Sequence, residues 1–113
     1  MDPGIFSVSL AVKDIRKSAE FYSWLGFQPL DGCGSFDDKW LILQQGTTVI
    51  GLFEGMFEDN ILTFNPADAR SIEAHLKSKG VSFSTETQGE SGPTHFVMKD
   101  PDGNVIMFDQ HTA

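Results

Sequence analysis

Near the start of the chain Val8, Leu10 and Val12 alternate with Ser7, Ser9 and Ala11, the period-two pattern of a strand whose apolar side covers a helix. The period then changes. Ile15, Ala19, Tyr22 and Leu25 recur about every four residues, predicting a helix with one apolar stripe. Asp14 is placed to accept from amides of its first turn, and Gly26 supplies the left-handed stop. The whole set of signals returns at an offset of 54 residues: FSVSLAVKDIRKSAEFYSWLGF lies without a gap on NILTFNPADARSIEAHLKSKGV, which sets Asp14 on Asp68 and Gly26 on Gly80. Val8, Leu10 and Phe27 fall on Leu62, Phe64 and Val81. In the second copy Asp68 caps a helix whose buried stripe is Ala69, Ile72 and Leu76, and Lys77 and Lys79 in the last turn favour its dipole.

Three strand-like runs follow each predicted helix: residues 27–30, 39–43 and 47–53, then 81–87, 95–99 and 104–109. Gln45-Gly46 and DPDGN at 100–104 are hairpin signals, because Pro101 fixes φ and Gly103 accepts the left-handed position. Each half therefore reads βαβββ, with residues 54–59 as the joint. A repeat that occurs twice indicates internal duplication and not a solenoid. The expectation is a single α+β domain over residues 1–113, with module one at about 4–55 and module two at about 60–111.

Composition narrows the partners. With 40% hydrophobic and 21% charged residues the chain should fold alone, and a formal charge of −8 disfavours nucleic acid and anionic membranes. Neither a membrane-length apolar run nor a signal-peptide pattern occurs, so a cytoplasmic location is expected. Cys33 is the single cysteine, which rules out an intramolecular disulfide and a cysteine-based metal cluster. There is no nucleophile triad around Ser7 or Ser9 and no phosphate-loop glycine pattern. The pairs Asp37-Asp38 and Glu58-Asp59 read as solvated loop charge that attracts a cationic ligand.

The duplicated βαβββ order, the two openings SLAVKDIRKSAEFYSWLGF and LTFNPADARSIEAHLKSKGV, and above all FVMKDPDGNVIMFDQ at the end resemble the vicinal oxygen chelate superfamily, the glyoxalase/bleomycin resistance protein/dioxygenase group. The resemblance covers nearly the whole chain. It implies two βαβββ modules forming an open half-barrel mixed sheet around a small-molecule cavity, often completed by a second subunit. In metal-dependent members four side chains on the first and last strands of the modules hold one divalent ion. Those positions fall here on Ser7, Ile61, Met107 and Gly51, with Glu54 in place of Gly51 under a shifted register. Ile, Met and Gly offer no useful donor, so no metal or other cofactor is expected. His75, His95 and His111 show no ligand spacing, and of them His95 is retained as a candidate.

Strand alternation lines the implied cavity with Ser7, Ser9, Phe53, Thr63, Asn65 and Met107, with Trp40, Phe36, Phe57, His95 and Phe96 as aromatic surface near its rim. The expected ligand-binding set is Ser7, Ser9, Trp40, Phe53, Thr63, Asn65, His95 and Met107. The leading expectation is a metal-independent protein that binds or sequesters a small aromatic or cationic compound, acting as a homodimer. The alternative is a divalent-metal-dependent lyase, isomerase or dioxygenase of glyoxalase type with Glu54, His95 and Asp109 as ligands. A degenerate copy serving as an interaction module is a third reading.

Overall fold

The computed structural model describes residues 1–112. In chain order the elements are β1 (Ile5–Val12), α1 (Ile15–Ser23), β2 (Gln28–Ser35), β3 (Trp40–Gln45), β4 (Thr48–Glu54), β5 (Ile61–Asn65), α2 (Ala69–Ser78), β6 (Thr94–Lys99) and β7 (Val105–Gln110). They form two compact units, one of residues 7–60 and one of residues 1–6 together with the chain from Ile61 onward. The α+β class and the repeated strand-helix-sheet order both hold. No described helix is long and apolar enough to cross a membrane.

In the first unit β2, β3 and β4 are antiparallel neighbours and β4 runs parallel to β1. A parallel pair needs a long crossover. Here it contains α1, which packs Ile15 against buried Leu41, Leu43 and Leu52, with Leu10, Val12, Ala19, Tyr22 and Phe27 around them. The first-strand alternation thus covers the helix as its pattern predicts. Leu25 departs from the expected stripe, because α1 ends at Ser23 and Leu25 lies beyond it, 59% exposed. Phe36, expected near a cavity rim, packs against this core with the Arg16 guanidinium 4.5 Å above its ring.

The second unit repeats the plan with one strand fewer. β5 and β7 are parallel, β6 and β7 antiparallel, and α2 buries Ala69 and Ile72 against Phe96 and Phe108. Phe108 stacks on Phe64 and on Phe96, with both centroid pairs 4.9 Å apart. Phe96, also expected at the rim, is instead fully buried, because its place in β6 puts it opposite Phe108 on the helix side. Residues 81–87 keep only one bridge, Thr85 to Val97. The stretch that follows is held by α2. Arg70 donates to the carbonyls of Gln88, Gly89, Ser91 and Gly92, Glu73 accepts from the Thr87 amide and hydroxyl, and Lys77 pairs with Glu86. Side chains on one helix face thus hold residues 86–92, the stretch between that bridge and β6.

Both helix starts are capped twice. Asp14 Oδ1 accepts from Arg16 and Lys17 amides at 3.1 and 3.2 Å, and Asp68 Oδ1 from the Ser71 amide at 3.1 Å. The first helical amide of each is reached from the end of that module's last strand: Glu54 Oε1 accepts from Ile15 N at 3.0 Å, and Gln110 Oε1 from Ala69 N at 2.8 Å. The DPDGN turn closes on itself in the same manner, with Asp100 accepting from the Asp102 and Asn104 amides and the Asn104 side chain.

Gln110→Ala leaves the buried Ala69 amide without its acceptor, and urea unfolding is expected to show a loss of about 1–3 kcal/mol. For Glu54 the hydrogen bond from Ile15, then the Lys39 ammonium, hold the carboxyl below its ordinary value of 4.5. A carboxyl lowered in the folded state stabilises above its unfolded pKa and loses that contribution as pH falls through the folded one. Unfolding midpoints measured from pH 6 down to about 3 are therefore expected to fall less steeply for Glu54→Gln than for the parent chain.

Candidate functional site

The side of each sheet away from its helix is the candidate binding face. In the first unit the register sets Ser9 beside Gly51 and Gly51 beside Ile42, then Ala11 beside Phe53 and Phe53 beside Trp40. Trp40 and Phe53 are near parallel, with 5° between planes and centroids 6.2 Å apart, and Phe57 adds a tilted ring 5.3 Å from Phe53. All three are half-buried. Gly51 makes this possible, since a Cβ there would sit 2.6 Å from Phe53 Cε2 and 3.3 Å from Ile42 Cδ1. The Phe53 ring lies over its own strand where the glycine leaves space.

Exposed carboxylates border this aromatic surface in sequence: Asp37 and Asp38 lead into Trp40, and Glu58 and Asp59 follow Phe57. Lys39, between them, is drawn to Glu54 at 3.3 Å. Ser7 and Ser9, on the same face, are 8% and 4% exposed. They belong to the packed floor, and the half-buried rings are the larger accessible surface. Glu54 projects to the α1 side of the sheet, opposite Trp40 and Phe53, where Ile15 and Lys39 occupy its carboxylate.

In the second unit the corresponding face carries Thr63 beside Met107, Met107 beside Val97, and Asp109 beside His95. Thr63 is buried, Asn65 and Met107 are half-buried, and His95 is exposed. Asn65 Nδ2 donates to the Asp109 carbonyl at 2.9 Å, and His111 Nε2 lies 3.0 Å from Asp109 Oδ2. Of the three candidate metal ligands, the structure makes His95 and Asp109 cross-strand neighbours, while Glu54 is committed to α1. His75 is exposed on the flank of α2. The Asp109–His111 pair is not among the sequence expectations, although a spacing of two on an extended chain puts both side chains on one side.

The positions at which the resemblance implies metal ligands carry, residue by residue, few donors. Gly51 has no side chain, and the space a Cβ would take belongs to the Phe53 ring. Ile61 and Met107 carry no oxygen or nitrogen donor, which leaves Ser7, a neutral hydroxyl, as the remaining side-chain ligand. Among the described residues no three His, Cys, Asp or Glu side chains gather to hold an ion.

A family model described as the Glyoxalase/Bleomycin resistance protein/Dioxygenase superfamily matches residues 4–108. Among solved structures, a glyoxalase/bleomycin resistance protein/dioxygenase superfamily member from Vibrio splendidus 12B01 has a TM-score of 0.73 at 18% identity, covering 93% of this chain and 97% of that one. A structure described as NAD-dependent benzaldehyde dehydrogenase from Legionella pneumophila has a TM-score of 0.72 at 21% identity, covering 95% and 99%. Methylmalonyl-CoA epimerase from Mycobacterium tuberculosis has a TM-score of 0.69 at 16% identity, covering 100% and 93%. At these identities the likeness is one of fold. No curated protein matches the chain.

Gly51→Ala is expected to push the Phe53 ring away from its strand and break its alignment with Trp40. Near-ultraviolet circular dichroism should lose aromatic intensity, and urea unfolding should show a cost of about 1–3 kcal/mol from overpacking.

Proposed function

We propose that this chain, which belongs to the glyoxalase/bleomycin resistance protein/dioxygenase superfamily, is a single two-module domain that binds and sequesters a small aromatic cation without a divalent metal. One observation carries the reading: the Trp40, Phe53 and Phe57 rings form a continuous, half-buried aromatic surface, and four exposed carboxylates flank Trp40 and Phe57 in sequence. A planar ligand gains apolar contact and ring stacking there, and a positive charge on it gains about 0.5–2 kcal/mol from the ring faces, more than a neutral analogue can. The formal charge of −8 raises the local concentration of such a ligand before it docks. Asn65, His95 and Met107 give the second module's face one amide, one imidazole and one adaptable thioether for ligand contact. The unsuited donor positions Gly51, Ile61 and Met107 favour binding without metal, and a site of this kind needs no Lewis acid to hold its ligand.

Isothermal titration with 10-methylacridinium and with neutral acridine at pH 7.5 tests the reading. The cation is expected to bind about tenfold more tightly than the neutral ring, Trp40→Ala to lose about tenfold or more, and chelator to change neither value. Elemental analysis of the same protein should find less than one divalent ion per chain. A stoichiometric ion, or binding abolished by chelator, would replace this reading with a metal-dependent one.

A further inference from the structure

The segment that follows α2 takes a longer path than its counterpart after α1. At the 54-residue offset β3 coincides with β6, which sets Trp40 on Thr94, Leu43 on Val97 and Gln45 on Lys99, while Gly26 falls on Gly80. Leu43 is met by Pro29, three residues past Gly26, whereas Val97 is met by Thr85, five residues past Gly80. Two residues add about 7 Å of extended chain. After α1 the chain enters β2 and pairs Gln28 and Pro29 with Gln44 and Leu43. Among the described residues no strand lies between α2 and β6, and a cavity of about 510 Å³ opens between residues 81–84 and the end of β6.

Val81, Ser82, Phe83, Ser84, Lys99 and Pro101 line it, and none of them is a contact residue of the proposed function. Phe83 is a fixed wall. It is half-buried, meets buried Phe96 edge-on with centroids 5.3 Å apart, and has the Lys77 ammonium 5.9 Å from its ring centre. The polar groups can all donate. Ser82 and Ser84 bring hydroxyls, and the exposed Lys99 ammonium enters no ion pair among the described residues. Val97 directs both its N–H and its C=O to Thr85, so the Lys99 amide, two residues on, faces the same edge. Asp100 also borders the cavity, but its carboxylate accepts from the Asp102 and Asn104 amides and the Asn104 side chain, which ties it to its own turn.

We propose that this cavity binds a small aromatic carboxylate, with the anionic group on Lys99 and the serine hydroxyls and the ring against Phe83 and Pro101. Its volume is in the range of small-molecule sites. A carboxylate accepts from several donors at once, and hydrogen bonds to a charged partner are stronger than neutral ones. The Phe83 ring offers a second ring an edge or a face to pack on. Lys77 lies over Phe83, Lys79 comes two residues before Val81 and Lys99 is in the lining, so three of the chain's eight basic residues stand at or next to this cavity. In a chain of net charge −8 that is a local excess of the sign an anion needs. The site is separate from the aromatic surface around Trp40, takes the opposite ligand charge and does not rest on that reading.

Titration calorimetry of the full chain with 2-naphthoate, at pH 7.5 and low ionic strength, is expected to show saturable binding about fivefold tighter than that of neutral 2-naphthamide. Lys99→Gln should weaken naphthoate about three- to fivefold, an effect of the size an exposed charge gives, and Trp40→Ala should leave it unchanged. In amide NMR spectra the largest shifts on adding naphthoate are expected at residues 82–84 and at Lys99. Absence of saturation, a Lys99→Gln affinity equal to the parent's, or shifts centred on Trp40 and Phe53 would overturn the proposal. Lys99 is exposed, so its variant should keep the parent's circular dichroism; if it does not, the amide shifts of the parent chain decide.

Discussion

Each module depends on one contact between its last strand and the start of its helix. Glu54 on β4 and Gln110 on β7 reach the first amide of α1 and α2, groups that a helix cannot satisfy by itself. Because β4 runs parallel to β1 and β7 to β5, the chain must cross over to align them, and the capped amide ties the end of the crossing to its beginning. One module uses a carboxylate supported by Lys39, the other a buried amide that also donates to the Gly92 and Thr112 carbonyls. The geometry is shared and the chemistry is not.

That tie sets which side of each sheet meets its helix, and the contact residues of the proposed function are on the other side. Leu41, Leu43 and Leu52 go to α1, so Trp40, Ile42, Gly51 and Phe53 face away from it. Phe96 and Phe108 go to α2, so His95, Val97, Met107 and Asp109 face away. A strand offers alternate residues to its two faces, and once one face is committed to the core a slip of one residue would bury His95 and expose Phe96. Packing thereby holds the candidate contact residues in register.

Duplication has left the two open faces with different chemistry. The first gathers aromatic rings over a glycine, and the second gathers an amide, a carboxylate and imidazoles. Membership of the superfamily supplies the framework and does not choose between these chemistries. The donor-poor residues at Gly51, Ile61 and Met107 are what direct the reading toward binding by area and charge.

Much of the fold was legible from periodicity alone. Both Asp caps, the Gly26 and Gly80 stops and the DPDGN turn are local signals, written within a few residues of where they act, and each is found in the structure. Strand alternation likewise assigned Phe53, the cross-strand neighbour of Trp40, and Gly51 to one face. What sequence could not supply were choices made between distant residues: that Arg70 and Glu73 would hold residues 87–92, that residues 81–87 would keep a single bridge, that Phe96 would be buried by Phe108, and that Glu54 would serve α1. Short-range pattern determines which conformations a segment prefers, whereas competition for hydrogen-bond partners and for core volume is settled only when segments meet in space.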